Sequence, residues 1–240
     1  MHVPDGFLDI ATSAATGAVA VTGVALALRG ARRELDDRTV PMTGLVAAFV
    51  FASQMLNFPV GAGTSGHLLG GALAALLVGP WTGVLCLAVV LLVQSLLFAD
   101  GGVTALGTNI TLMGLVGVLS GWLVFRGLQR VLPKRLDLVP ALAGVAALVS
   151  VPLTALAFVG LYAVGGQAPV PLDALIATML GWHLLIGIGE AAITFIVVGS
   201  VIAVRPDLVY GARRVLATRP LTLRDAVHTA APSTDSGASA

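Results

Sequence analysis

Charge is scarce in this chain. Lys, Arg, Asp and Glu together make up 10% of its 240 residues against 57% hydrophobic, less than half the charge of an ordinary soluble domain. Cysteine is nearly absent: Cys86 stands alone, which excludes an intrachain disulfide and any cysteine-based zinc cage. Lying in an apolar run, it reads as a packing residue. Aromatic residues are 5% of the chain. No P-loop pattern is present, so this chain does not hydrolyse ATP itself, and no internal repeat is visible. The start lacks the basic stretch that opens a signal peptide. Nothing favours nucleic acid as a partner.

What remains is apolar. The mean hydropathy is +0.98, and hydrophobic runs recur at lengths that cross a bilayer. They fall at about 11–28, 42–58, 67–79, 81–98, 108–125, 139–163 and 175–204, which predicts an all-α integral membrane protein with about seven transmembrane helices. With the N-terminus outside, three regions face the cytoplasm and hold Arg29, Arg32, Arg33 and Arg38; Arg126, Arg130, Lys134 and Arg135; and Arg205, Arg213, Arg214, Arg219 and Arg224. Those are all 13 basic residues, the one-sidedness that the positive-inside rule demands of a correct topology. The C-terminus is then inside, and the outer face carries Asp5, Asp9, Asp100 and Asp173 with no base. Residues 1–205 read as a transmembrane metal-binding domain and 206–240 as a polar cytoplasmic tail, disordered beyond about residue 228; His228, in that tail, has no helix to position it.

The third segment is short, about 13 residues, or ~20 Å against a hydrocarbon core of ~30 Å. Before it comes NFPVGAGTSGH, with Pro59 and three glycines. Irregular backbone at that depth is tolerated only where protein or a cavity covers it, so the stretch is a candidate binding site.

Chemistry concentrates at the start of the chain and at this break. A methionine followed by a residue as large as histidine is expected to be retained. The Met1 amine, the His2 amide and the His2 Nδ1 then lie at chelate spacing: amine and amide close a five-membered ring on a metal, amide and imidazole a six-membered one. His67 can supply the fourth nitrogen. Four nitrogens in a plane suit Ni(II) or Cu(II) and accept Co(II), whereas Zn(II) prefers a tetrahedron. Pro4 and Gly6 can turn the terminus back over the helices. Thr64 and Ser65 are placed to bond the far ring nitrogen of His67 or to cap its helix. Gln54 and Asn57, one turn apart, and Gln94, Asn109 and Thr111 are polar groups in apolar surroundings, suited to interhelical hydrogen bonds or to a shell around the metal. Glu190 is the one carboxylate well inside a span, with His183 two turns away on nearly the same face; a buried polar pair and a part in transport both account for them.

The stretches MHVPDGFLD, FASQMLNFPVGAGTSGHLLGGALAALLVGPW, VQSLLFADGGVTALGTNI and GEAAITF resemble the CbiM and NikM group, the substrate-capturing membrane subunits of energy-coupling-factor (ECF) transporters for cobalt and nickel. The resemblance spreads over most of residues 1–200. It implies a core of six helices plus one extra, and a near-square metal site formed by the Met1 amine, the His2 amide and imidazole, and His67. It implies Co(II) or Ni(II) as transported substrate with no permanently bound cofactor. The implied partners are a coupling membrane subunit (the T component), two ATPase subunits and a small accessory membrane subunit, in a prokaryotic cell (inner) membrane. Two other functions compete. GTSG with His183 matches the serine and base of rhomboid-type intramembrane proteases, with Ser65 as nucleophile, and an unassisted metal channel would need no ATPase. A closed nitrogen cage argues against the channel, since conduction needs weak binding.

Overall fold

The structure is a computed structural model, and it describes residues 2–37, 39–61 and 64–218. The chain is mostly helical: α1 (Ile10–Ala31), α2 (Thr39–Gln54), a hairpin of β1 (Phe58–Gly61) and β2 (Thr64–Gly66), α3 (Gly71–Val78), α4 (Pro80–Leu97), α5 (Leu106–Asn109) leading through a π-helical stretch (Ile110–Gly117) into α6 (Val118–Val131), α7 (Val139–Gly165), α8 (Leu172–Val204) and the short α9 (Arg213–Leu216). Among the described residues five helical spans are long and apolar enough to cross a membrane: Ile10–Ala31, Pro80–Leu97, Leu106–Val131, Leu136–Gly165 and Leu172–Val204. Their outward faces are apolar, with Val21, Leu26 and Leu28 exposed on α1 and Leu185, Ile188 and Ile196 on α8. Such a surface is stable in lipid and not in water. At 16 residues, α2 is apolar but shorter than the rest.

The bundle is built around α3. All eight of its residues are buried, and it packs against α2, α4, α6, α7 and α8. The helix starts four residues later than hydropathy suggests because Gly70 has φ +74°, a left-handed conformation that stops helical propagation backwards. A Cβ at Gly70 would also press on Val50 at 2.8 Å. Residues 67–70 are therefore irregular backbone inside the protein. The stretch expected to be irregular before them is instead an antiparallel hairpin, which gives its backbone polar groups partners.

The basic regions converge at one end of the bundle. Arg213 reaches the Glu34 carbonyl and Asp36 in the α1–α2 loop at 3.4 Å each, and Gln129 at the end of α6 donates to the Gly211 carbonyl at 3.0 Å. Residues 206–218, expected to begin a polar tail, fold back here: Val209, Ala212 and Val215, at a spacing of three, are buried in the same cluster as Leu76 and Phe125. Residues 219–240, with His228, lie outside the described residues.

Candidate metal centre

At the other end, residues 2–9 are stitched across the mouth of the bundle. Gly6 (φ +73°) turns the chain, and Asp9 N–H donates to the Gly165 carbonyl at 2.7 Å while Gln167 N–H donates to that of Phe7 at 3.0 Å. Phe7 packs on Phe158 and Tyr162. The Asp5 carboxylate accepts from the Thr104 N–H at 2.8 Å and the Ala105 N–H at 3.3 Å, just before α5. The Thr104 hydroxyl, which also donates to Asp5, and then these N–H bonds hold the pKa of Asp5 below its ordinary value. Val3 is held from both sides by one side chain: its N–H donates to Asn109 Oδ1 at 2.8 Å, and Asn109 Nδ2 donates to its carbonyl at 3.1 Å. Asn109 leads directly into the π-helical stretch, a departure from regular helix of the kind found at functional sites.

Fixing Val3 fixes its neighbour. His2 is 5% exposed and His67 fully buried, and their rings stack with centroids 4.4 Å apart and planes at 28°. The sequence separates them by 65 positions; the fold places them face to face. Hydrogen bonds set both tautomers. Gln94 Oε1, an acceptor, lies 3.1 Å from His2 Nε2, so that nitrogen carries a proton, and the neutral ring has its lone pair on Nδ1. His67 Nδ1 donates to the Leu68 carbonyl at 2.8 Å, leaving the lone pair on Nε2.

His2 Nδ1 is 3.0 Å from Asp100 Oδ1 but not aligned with it as a hydrogen bond. A lone pair and a carboxylate at that distance repel unless a positive charge joins them, whether a proton or a metal. Burial lowers the pKa of His2, with the close Asp100 carboxylate opposing. Burial would raise that of Asp100, but a proton on the facing His2 nitrogen, with the Asn57 hydrogen bond, prevails and lowers it. Asp100 Oδ2 in turn accepts from Asn57 Nδ2 at 2.9 Å, which places Asn57 behind the carboxylate and not at the rings. Gly101 (φ +92°) lets this loop come in; a Cβ there would lie 3.2 Å from His2 Cδ2.

The other singled-out residues fall behind His67. Gln54 donates to the Leu69 carbonyl at 2.7 Å. Glu190 accepts from the Leu69 N–H at 2.7 Å and the Gly70 N–H at 3.0 Å, so its carboxylate closes the start of α3 and does not pair with His183. His183 is fully buried on the same face of α8; its Nδ1 donates to the Met179 carbonyl at 2.7 Å. Met1 and the side chains of Thr64 and Ser65 lie outside what is described. The Asp100 contact is the feature that sequence reasoning missed. Its signal was a carboxylate followed by two glycines at the end of an apolar helix.

Glu190→Ala would strand two buried N–H groups at roughly 1–3 kcal/mol each and loosen the His67 loop. The expected outcome is a lower melting temperature together with metal affinity weakened about tenfold or more. Unchanged affinity with lost transport would instead mark Glu190 as a participant in ion movement.

Two buried, stacked imidazoles thus sit in a bundle whose described residues include five spans apolar enough to cross a membrane. Crystal structures of a transition metal transporter and of a truncated transition metal transporter align with TM-score 0.77 at 31% identity, covering 85% of this chain and 93% and 99% of theirs respectively. Residues 2–208 match the model of the CbiM family, described as the cobalt uptake substrate-specific transmembrane region, and the chain belongs to that family. A putative metal transport protein of Haloquadratum walsbyi is 38% identical over 88% of this chain and 94% of its own length. A putative fused nickel transport protein, NikMN, of Archaeoglobus fulgidus is 38% identical over 87% of this chain and 68% of its own. A cobalt transport protein, CbiM, of Geobacter sulfurreducens is 35% identical over 87% and 61% respectively.

Proposed function

We propose that this chain captures Co(II) or Ni(II) as the substrate-binding subunit of an ECF-type transporter. The observation that carries the reading is the His2–His67 stack, with each ring's proton tied away from one nitrogen. Among the described residues no three His, Cys, Asp or Glu side chains form a ligand cluster. That supports main-chain donors for the rest of the set: the Met1 amine and the His2 amide nitrogen. An amide anion cancels one of the two metal charges inside a low-dielectric site, and such a set gives oxygen-seeking Mg(II) or Ca(II) no advantage. The relatives are named as metal transport proteins, which favours a transporter over a protease built on Ser65 and His183.

The acid-bearing end with the site faces outward in this reading, the basic end faces the cytoplasm, and α2 and α3 complete seven segments. A coupling membrane subunit, two ATPase subunits and a small accessory membrane subunit supply ATP-driven release inside the cell.

Proton linkage tests the ligand set. Because burial holds the pKa of His2 below 6.5, that imidazole is already neutral at neutral pH and offers little proton competition. The amine, with an ordinary pKa of about 7.7–8.0, and the amide must each lose a proton on binding. Affinity should therefore rise by about two log units per pH unit between roughly pH 6.5 and 7.5, then less steeply once the amine is deprotonated. Calorimetry of untagged protein in buffers of different ionisation enthalpy should count about two protons released per metal at neutral pH. Release of none would refute the amine and amide ligands.

A further inference from the structure

We propose that the pocket between the end of α6 and α9 binds the phosphate headgroup of an anionic phospholipid. Arg126, Gln129, Arg130, Lys134, Arg214 and Val215 line a cavity of about 260 Å³. Four of the six are cations and none is an acid. Neighbouring carboxylates are engaged elsewhere: Asp137 with Arg135 at 2.6 Å, Asp207 with Arg205 at 2.8 Å, and Asp36 with Arg213 at 3.4 Å. Among the described residues the four pocket cations have no ion-pair partner.

Topological sorting would account for basic residues at this end of the molecule, but not for a built cradle. Arg126 is 9% exposed. Its guanidinium lies over the Trp122 ring at 5.4 Å, and its Nη1 donates to Gln129 Oε1 at 3.0 Å. Gln129 is itself anchored on the Gly211 carbonyl at 3.0 Å. A guanidinium fixed in this way presents its remaining N–H groups without further loss of freedom, the geometry that recognises phosphate oxygens.

Location selects a lipid as the source of the phosphate. The pocket closes the far end of the Leu106–Val131 span, whose other end holds Asn109 against Val3. Headgroups lie at the ends of such spans. One turn further into the span Leu123 is exposed, and Val131 and Leu132 are exposed beside the pocket, so an acyl chain can run along apolar surface from a headgroup held by the arginines. The inference rests on the apolar spans and not on the metal site, so either can fail without the other.

The test is native mass spectrometry of the full chain in detergent, titrated with dioleoyl phosphatidylglycerol or dioleoyl phosphatidylcholine. The expected result is preferential retention of one phosphatidylglycerol, weakened about 25-fold in Arg126→Gln/Arg130→Gln, at roughly fivefold per basic residue. Arg29→Gln/Arg33→Gln, in the α1–α2 region, should leave it unchanged. A thermal melt checks that the pocket variant is folded; Arg130→Gln/Lys134→Gln, both exposed, replaces it if it is not and should lose a similar factor. Equal loss in the α1–α2 control would reduce the effect to general charge attraction. Competition by inorganic phosphate at the lipid's own concentration would make the pocket a free-anion site. Unchanged lipid binding with lost co-purification of partner subunits would make it a protein contact. Each of these three results overturns the proposal.

Discussion

His67→Ala should reduce Co(II) or Ni(II) binding by about 100- to 1,000-fold. A transition metal held by protein donors is worth about 10–16 kcal/mol in total, so one of four nitrogens carries a few kcal/mol and each 1.4 kcal/mol is tenfold. His2→Ala should lose at least as much, because it removes an imidazole and the six-membered chelate ring together. Calorimetry on purified, untagged protein measures both. His183→Ala is the internal control. It removes a fully buried imidazole that bonds only its own helix among the described contacts, so it should cost stability while leaving affinity within a few-fold. Metal binding by His67→Ala within a few-fold of the parent would remove His67 from the site.

Gln94→Leu should fall between these limits. Gln94 is fully buried and bonds the ring nitrogen of His2, so its loss frees the imidazole to turn or change tautomer, at about 10- to 100-fold in affinity. The ordering of His67, Gln94 and His183 separates ligand, ring-orienting residue and helix-packing residue in one series.

Five of the spans were legible in the sequence because crossing a bilayer demands long apolar runs, which hydropathy reads directly. Boundaries of the long helices moved by only a few residues. What hydropathy does not encode is which polar group meets which. Glu190 stood next to His183 in the periodicity of α8, yet it bonds two N–H groups 120 and 121 positions away, because a buried carboxylate is best satisfied by the unpaired donors ahead of a helix. Glu34 does the same for α4, accepting from Trp81 N–H at 3.2 Å and Thr82 N–H at 2.7 Å, and Asp5 does it ahead of α5. None of the three depends on a base. Charge pairing, the usual guide from sequence, therefore gave no hint of them. The packing of residues 206–218 was hidden for a related reason: Val209, Ala212 and Val215 are too few to register as an apolar segment, but their spacing suffices to bury one side of a turn against Phe125.

Extending the chain before residue 1 should abolish binding as fully as deleting a histidine. In the proposed site the amine of Met1 closes a five-membered ring with the His2 amide nitrogen. A peptide bond in its place has no basic lone pair to offer, so the metal would keep the imidazoles and lose the chelate that forces a plane. The surroundings leave little room to adapt: His2 is 5% exposed, Asn109 holds Val3 from both sides, and Gly101 lies against the His2 ring. A protein carrying a removable N-terminal tag that leaves Met1 as residue 1 after cleavage provides the test. The tagged form should show no Ni(II) absorption of a square-planar nitrogen set, and cleavage should restore both the spectrum and the stoichiometry. Full binding by the tagged form would move the fourth donor from the terminus to Asp100, the nearest carboxylate to His2 among the described contacts, and would replace the planar nitrogen set with a mixed nitrogen–oxygen one open to a wider range of divalent metals.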